Sequence, residues 1–144
     1  MAEMNSNTSL LSMSNIYKSF GEVEVLADVN FEVGRNEIIG LVGDNGAGKS
    51  TVYNLITGFY KYEGAIVFEG RNIAGLPPYR IAKAGIARTF QIPQTFPSLT
   101  VQKSISVGSR FGAAGGLDPD YVDEMIRFVD LEQERFQGTG LLTL

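Results

Sequence analysis

The residues with the clearest chemistry are Gly43-Asp44-Asn45-Gly46-Ala47-Gly48-Lys49-Ser50: a glycine, four residues, then Gly-Lys-Ser. That spacing is the phosphate-binding loop pattern. Glycines at 43, 46 and 48 let backbone N–H groups turn inward around an anion, with no side chain in the way. A helix starting behind the loop aims its positive end at the same anion. Lys49 adds a full charge near the terminal phosphates, and the Ser50 hydroxyl is placed to bind Mg²⁺. Hydrogen bonds to charged groups contribute about 1.5–3 kcal/mol each, so several together support micromolar binding of a nucleoside triphosphate. With this chain's glycine, lysine and hydroxyl content, chance yields roughly one such match in a hundred sequences. The order of the glycines is not the Gly-x-Gly-x-x-Gly of a dinucleotide fold.

The elements that must position this loop are legible on both sides of it. Alternation at Leu11–Ser14, Val23–Val25 and Val29–Val33 predicts half-buried antiparallel strands. Ile38-Ile39-Gly40-Leu41-Val42 is a continuous apolar run and predicts a strand covered on both faces, so the pattern turns from antiparallel to parallel. Val52, Leu55, Ile56 and Phe59 form the stripe of an amphipathic helix, with Gly58 as its stop. Further on, Ala65–Phe68 reads as a strand closed by a Gly70-Arg71-Asn72 turn, Pro77-Pro78 opens a short helix ended by Gly85, and Ile86–Phe90 reads as another strand. Thr100 can cap a helix from Val101. Gly112–Gly116 reads as a linker. Asp118-Pro119 then starts a helix with Val122, Met125, Ile126 and Val129 on its apolar face. Residues 1–9 read as a flexible polar tail. The expectation is an α/β fold.

Composition narrows the chemistry. The 144 residues fit one domain, with 44% hydrophobic and 19% charged residues. The net charge of −4 argues against a nucleic-acid partner, which a basic excess would serve. With no histidine there is no Ser-His-Asp triad and no imidazole base, and with no cysteine no thiolate metal site. The absence of cysteine, of a signal sequence and of a membrane-length apolar run points to an intracellular setting. Seventeen glycines, about 12% against a usual ~7%, signal unusual backbone geometry.

From Leu11 onward the chain resembles the nucleotide-binding subunits of ATP-binding cassette (ABC) transporters. Gly43–Ser50 with Thr51, Phe20-Gly21 followed by Val25–Phe31, and Gly85-Ile86-Ala87-Arg88-Thr89-Phe90-Gln91 carry the likeness. The Arg-Thr-Phe-Gln version is most similar to subunits of branched-chain amino acid importers. The resemblance implies a P-loop NTPase core of ABC type with an antiparallel β subdomain and the beginning of a helical subdomain. Residues 10–111 would be the N-terminal part of the nucleotide-binding domain and 112–144 a linker with the start of the helical subdomain. ATP and Mg²⁺ are the implied cofactors. Phe20 would stack on adenine, Thr51 would touch the α-phosphate, and Gln91 would reach Mg²⁺ and the attacking water. Lys49 and Gln91 would be the assisting catalytic residues. Implied partners are transmembrane permease subunits and a second nucleotide-binding subunit, on the inner face of the cell membrane.

Read without the family, Phe20 is equally a core aromatic, with Tyr17 the other candidate for adenine, Gln91 an ordinary surface glutamine, and Arg88 a strand-edge charge. The chain departs from the family pattern in its second half. There is no Leu-Ser-Gly-Gly-Gln signature, no apolar strand ending in Asp-Glu and no switch histidine, while Gln102-Lys103-Ser104 stands where Glu-Asn is usual. Asp123-Glu124 sits in the helical stretch after Asp118. The expectation is a chain that ends short of the signature, binds ATP without hydrolysing it alone, and is prone to aggregate through an apolar edge. The alternatives are a non-catalytic nucleotide-binding or interaction module and another P-loop enzyme such as a kinase. A GTPase is disfavoured because Asn-Lys-x-Asp and Asp-x-x-Gly do not occur.

Overall fold

The computed structural model describes residues 9–92, 94–111, 116 and 118–142, in two compact units, Met1–Ile81 and Ala82–Leu144. In the first unit, β1 (Ser9–Phe20) and β2 (Val23–Gly34) form a long hairpin, and β3 (Glu63–Phe68) and β4 (Arg71–Asn72) extend it in the order β2-β1-β3-β4. Every pairing is antiparallel. The alternation of polar and apolar residues dictates this: one face stays wet while Met13, Ile16, Leu26 and Ile66 are buried on the other. Ser9, expected in the tail, already pairs with Gly34; residues 1–8 lie outside the described residues.

Helix α1 (Lys49–Ile56) follows the glycine loop and buries Val52 and Leu55. It stops at Thr57; Gly58, at φ 77°, donates its N–H to the Leu55 carbonyl, and Phe59 is thrown past the helix end and half exposed. Phe59 therefore does not continue the stripe. The β3–β4 turn is made by Glu69 and Gly70, so Arg71 and Asn72 belong to a strand and not to the turn. Helix α2 (Pro78–Ala84) is ended by Gly85, as its sequence predicts.

Two expected strands are absent. Ile38–Val42 forms no strand: Ile38 and Val42 are 98% and 99% exposed. Ile86–Phe90 forms none either. A strand gets its backbone hydrogen bonds from neighbouring strands, and neither segment is part of the β2-β1-β3-β4 sheet. Apolar content alone could not supply those bonds.

In the second unit, α3 (Val101–Phe111) and α4 (Pro119–Phe128) pack together and bury Val101, Val122 and Ile126. Both starts follow the capping rule. Thr100 Oγ1 accepts from Lys103 N–H at 3.3 Å, and the Asp118 carboxylate accepts from Asp120 and Tyr121 N–H at 3.0 and 3.2 Å. Asp123 lies inside α4, paired with Arg135. A single-turn helix, Thr139–Leu141, ends the described chain. Of the linker expected at Gly112–Gly116, only Gly116 lies within the described residues. No helix among the described residues is long and apolar enough to cross a membrane.

Candidate functional site

The site is built where the glycine loop meets the first turn of α1. Gly48 occupies the N-cap position at φ 84°, and no side chain caps the helix. The first turn holds no acidic residue. No described side chain therefore caps the amides at this end, which lie at the positive end of the helix dipole. An anionic ligand group fits that arrangement.

The glycines are fixed by geometry. Gly46 sits at φ 90° in open space, so its need is conformational. Gly48 has the same need and no room: a Cβ there would lie 2.7 Å from Leu26 Cδ2 and 3.2 Å from the Val25 carbonyl oxygen. A Cβ on Gly43 would come 3.2 Å from the Ala47 methyl. The loop closes on itself through a turn in which Ala47 N–H donates to the Asp44 carbonyl at 3.1 Å.

The Lys49 ammonium lies within this loop, donating to the carbonyls of Gly43 at 2.5 Å and Asp44 at 2.6 Å. Two neutral carbonyl dipoles hold the charge in place without neutralising it. Around it Val25, Asn45, Gly46, Gly48, Lys49, Ser50 and Thr51 line a hollow of about 190 Å³. Ser50 is exposed and Thr51 half-buried. The loop residues expected from the sequence are therefore gathered at one place. Among the described residues no cluster of three acidic or histidine side chains could hold a metal alone. A hydroxyl beside a phosphate cradle instead suits Mg²⁺, which keeps several waters and leans on substrate phosphates.

Val25 is the wall residue that sequence reasoning missed. It belongs to β2, more than twenty positions before Lys49, and the sequence marked it as a strand residue in a segment of the family likeness, with no place at the loop. Phe20, at the end of β1, is 43% exposed and meets Tyr60 edge-to-face at 5.1 Å between ring centres. Lys18 Nζ lies 4.6 Å above the Phe20 ring. Tyr17 is 40% exposed, three residues before Phe20 in the same strand. Gln91 lies in the second unit, in an exposed bend; three residues before it, the Arg88 guanidinium stands 4.8 Å from the Phe90 ring. A larger hollow of about 510 Å³ lies elsewhere in the first unit, between the end of α1 and Ile73–Pro78.

A glycine loop, an uncapped helix and an enclosed lysine define the class: a P-loop protein with an anion cradle. The chain belongs to the ABC transporter family, which matches it over residues 26–140. It is similar to the probable branched-chain amino acid transport ATP-binding protein LivG of Archaeoglobus fulgidus, 39% identical over 99 residues, covering 68% of this chain and 38% of that protein. The high-affinity branched-chain amino acid transport ATP-binding protein LivG of Escherichia coli K12 is 39% identical over 109 residues, covering 75% and 43%. Among solved structures, an ATP-binding subunit of an ABC transporter superposes with a TM-score of 0.80 at 27% identity, covering 94% of this chain and 56% of that one. The ADP conformation of an ATP-binding cassette of an ABC transporter gives 0.75 at 30% identity, covering 94% and 59%. The chain thus spans about two fifths of the length of the curated relatives it matches. The fold class is that of the N-terminal part of an ABC cassette, although the expected strands Ile38–Val42 and Ile86–Phe90 are not formed.

Proposed function

We propose that this chain is the N-terminal part of the ATP-binding subunit of an ABC transporter and that its cradle binds MgATP. The uncapped N-terminus of α1 behind Gly46 and Gly48, with the Lys49 ammonium held inside the loop, carries this reading. Amides of the loop and first turn would wrap the β-phosphate, and Lys49 would turn from its two carbonyls to the terminal phosphate oxygens. Thr51 would sit at the α-phosphate, and Phe20, beside Tyr60, would stack on the adenine. Ser50 would ligate Mg²⁺, and by the family resemblance Gln91 would assist at the metal. When bound, Mg²⁺ would neutralise phosphate charge.

Hydrolysis belongs on this reading to the whole subunit. The 144 residues hold the cradle, the lysine and the glutamine, with no Asp-Glu strand end and no signature, so this polypeptide alone binds and does not turn over. The names of the LivG relatives support branched-chain amino acid transport. The partners on this reading would be membrane-embedded permease subunits and a second nucleotide-binding subunit. The setting would be the cytoplasmic face of the membrane. Within the subunit, residues 10–111 would form the nucleotide-binding part and 112–144 the entry to a helical subdomain.

The test is a MgATP titration of the chain and its Lys49→Ala variant. Losing one charge-assisted contact lowers affinity about 10- to 100-fold, while the parent binds in the micromolar range. Equal binding by both would refute the reading. Lys49-dependent phosphate release by the parent would refute its binding-only part.

A further inference from the structure

The hairpin behind the cradle is not regular, and its irregularity sets the wall of the hollow. Along β1 and β2 the pairing runs Leu11↔Val33, Ser12↔Glu32 and Met13↔Phe31; then three residues of β1 face two of β2, giving Ile16↔Val29. Next, three residues of β2 face two of β1, giving Lys18↔Leu26. These two bulges, one on each strand, cancel, and Lys18↔Leu26 regains the register of Met13↔Phe31; a further residue of β2, Val25, is then left over before Ser19↔Glu24, as one of β1 is between Ser9 and Leu11. Met13 and Ile16 are both buried although three residues apart, as the first bulge requires.

Each bulge holds a non-glycine residue in the left-handed region, Asn15 at φ 50° and Asp28 at φ 49°. One cluster ties them together. Asn15 N–H donates to Asn30 Oδ1 at 2.7 Å, and Asn15 Nδ2 donates to Asp28 Oδ1 at 3.0 Å. Asn30 Nδ2 donates to the same oxygen at 2.9 Å and to the Asp28 carbonyl at 2.8 Å. On the other side of β1, Gly64 at φ 103° leaves space that only a glycine could leave: a Cβ would lie 2.2 Å from the Asn15 carbonyl oxygen. The Asn30 and Asn15 amides hold the Asp28 carboxyl below the usual carboxylate range.

We propose that Asp28, clamped by Asn15 and Asn30, is a positioning residue for the phosphate cradle: it fixes the second bulge and so the register that brings Val25 and Leu26 against Gly48. The inference rests on the reading of the cradle as a nucleotide site. Without the second bulge, β2 beyond it slips by one residue against β1, and a slip of one turns every side chain to the other face. Leu26, now 5% exposed with Cδ2 where a Gly48 Cβ would have to go, would be replaced by a neighbour, and Val25 would leave the wall of the hollow. Asp28 itself is exposed and lines neither the hollow nor the core.

Three variants of the chain separate the clamp from the backbone conformation. Asp28→Asn keeps an Oδ1 for both donors and tolerates the left-handed backbone, so MgATP affinity stays within about twofold of the parent. Asp28→Gly keeps the conformation and loses the acceptor; Asp28→Ala loses both. Each weakens MgATP on the order of tenfold, because cradle groups displaced by about an ångström lose that much or more. A ligand-free readout accompanies them: the nuclear Overhauser contact between Leu26 methyls and Gly48 Hα, present in the parent and in Asp28→Asn, is lost in the other two. If Asp28→Ala does not fold, Asn15→Gly, which keeps the left-handed backbone and removes one donor, takes its place with a smaller effect in the same direction. Persistence of the Leu26–Gly48 contact in Asp28→Gly and in Asp28→Ala or its replacement overturns the proposal, as does parent-like affinity in them. A parent that shows the contact and binds no MgATP overturns the nucleotide reading, leaving the register argument standing alone.

Discussion

Replacing Gly48 by alanine tests the cradle where backbone and packing constraints coincide. An L-residue at φ 84° costs about 1–2 kcal/mol in the left-handed region. Alanine also brings a methyl to 2.7 Å from Leu26 Cδ2 and 3.2 Å from the Val25 carbonyl oxygen. The Leu26 methyl is a side-chain end, yet Leu26 is only 5% exposed and has little room to swing; the Val25 oxygen is backbone and must give a few tenths of an ångström. Overpacking of this kind adds about 1–3 kcal/mol. The sum for Gly48→Ala is about 2–5 kcal/mol. Gly46→Ala is the internal control, because its φ is 90° and a Cβ there meets nothing within 4 Å; its cost is about 1–2 kcal/mol. Thermal melts followed by far-ultraviolet dichroism compare the two, with a midpoint drop for Gly48→Ala on the order of 10 °C and less than half that for Gly46→Ala. Equal drops would refute the claim that β2 abuts the N-cap of α1.

Two further outcomes follow from side chains outside the cradle. Among the described residues the buried Tyr62 hydroxyl has no hydrogen-bond partner, and burial raises its pKa above the usual 10.0. The folded state therefore holds that proton longer than the unfolded chain: the stability is intact below pH 10 and is lost as pH rises through the folded-state value. Tyr62→Phe removes the orphaned group, raising stability by about 1 kcal/mol at pH 7 and flattening the alkaline loss relative to the parent, as urea melts at pH 7 and 11 would show; an unchanged or lower midpoint refutes it. The paired substitution Ile38→Lys and Val42→Lys, at side chains 98% and 99% exposed, reduces light scattering of a concentrated sample and leaves the melting midpoint within about 1 °C. A large loss of stability would mean these side chains are packed.

What could be read from the sequence was whatever is fixed locally. Three glycines, a lysine and a serine within eight residues determine the loop whatever surrounds it, and the structure closes it into a hollow. Caps behave likewise: Thr100 and Asp118 bond amides two or three residues on. The hairpin was legible because period two survives in its outer parts. Its centre was not, since the bulge on β1 puts Met13 and Ile16 on one face and no pattern of apolar residues announces a left-handed asparagine or aspartate. Val25 was missed for a related reason: its place beside the loop depends on a register set at Asp28.

Ile38–Val42 shows the limit of the apolar pattern most sharply. Five residues without a charge state that a strand would be comfortable if buried, and nothing about what buries it. An antiparallel hairpin carries its partner a turn away, so β1 and β2 find each other within 26 residues, Ser9 to Gly34. A parallel strand needs neighbours from distant sequence, and the solved cassettes that superpose on 94% of this chain have roughly two fifths of their own length left over. The phosphate loop forms regardless because its constraints run through Gly48, Leu26 and Val25, on the hairpin side. Cradle formation and sheet formation are therefore separable in this fold. A chain holding the first without the second should retain the Lys49-dependent affinity for nucleotide while Ile38–Val42 exchanges its amide hydrogens at the rate of an open segment. Strong protection of those amides in the chain alone would show the two to be coupled.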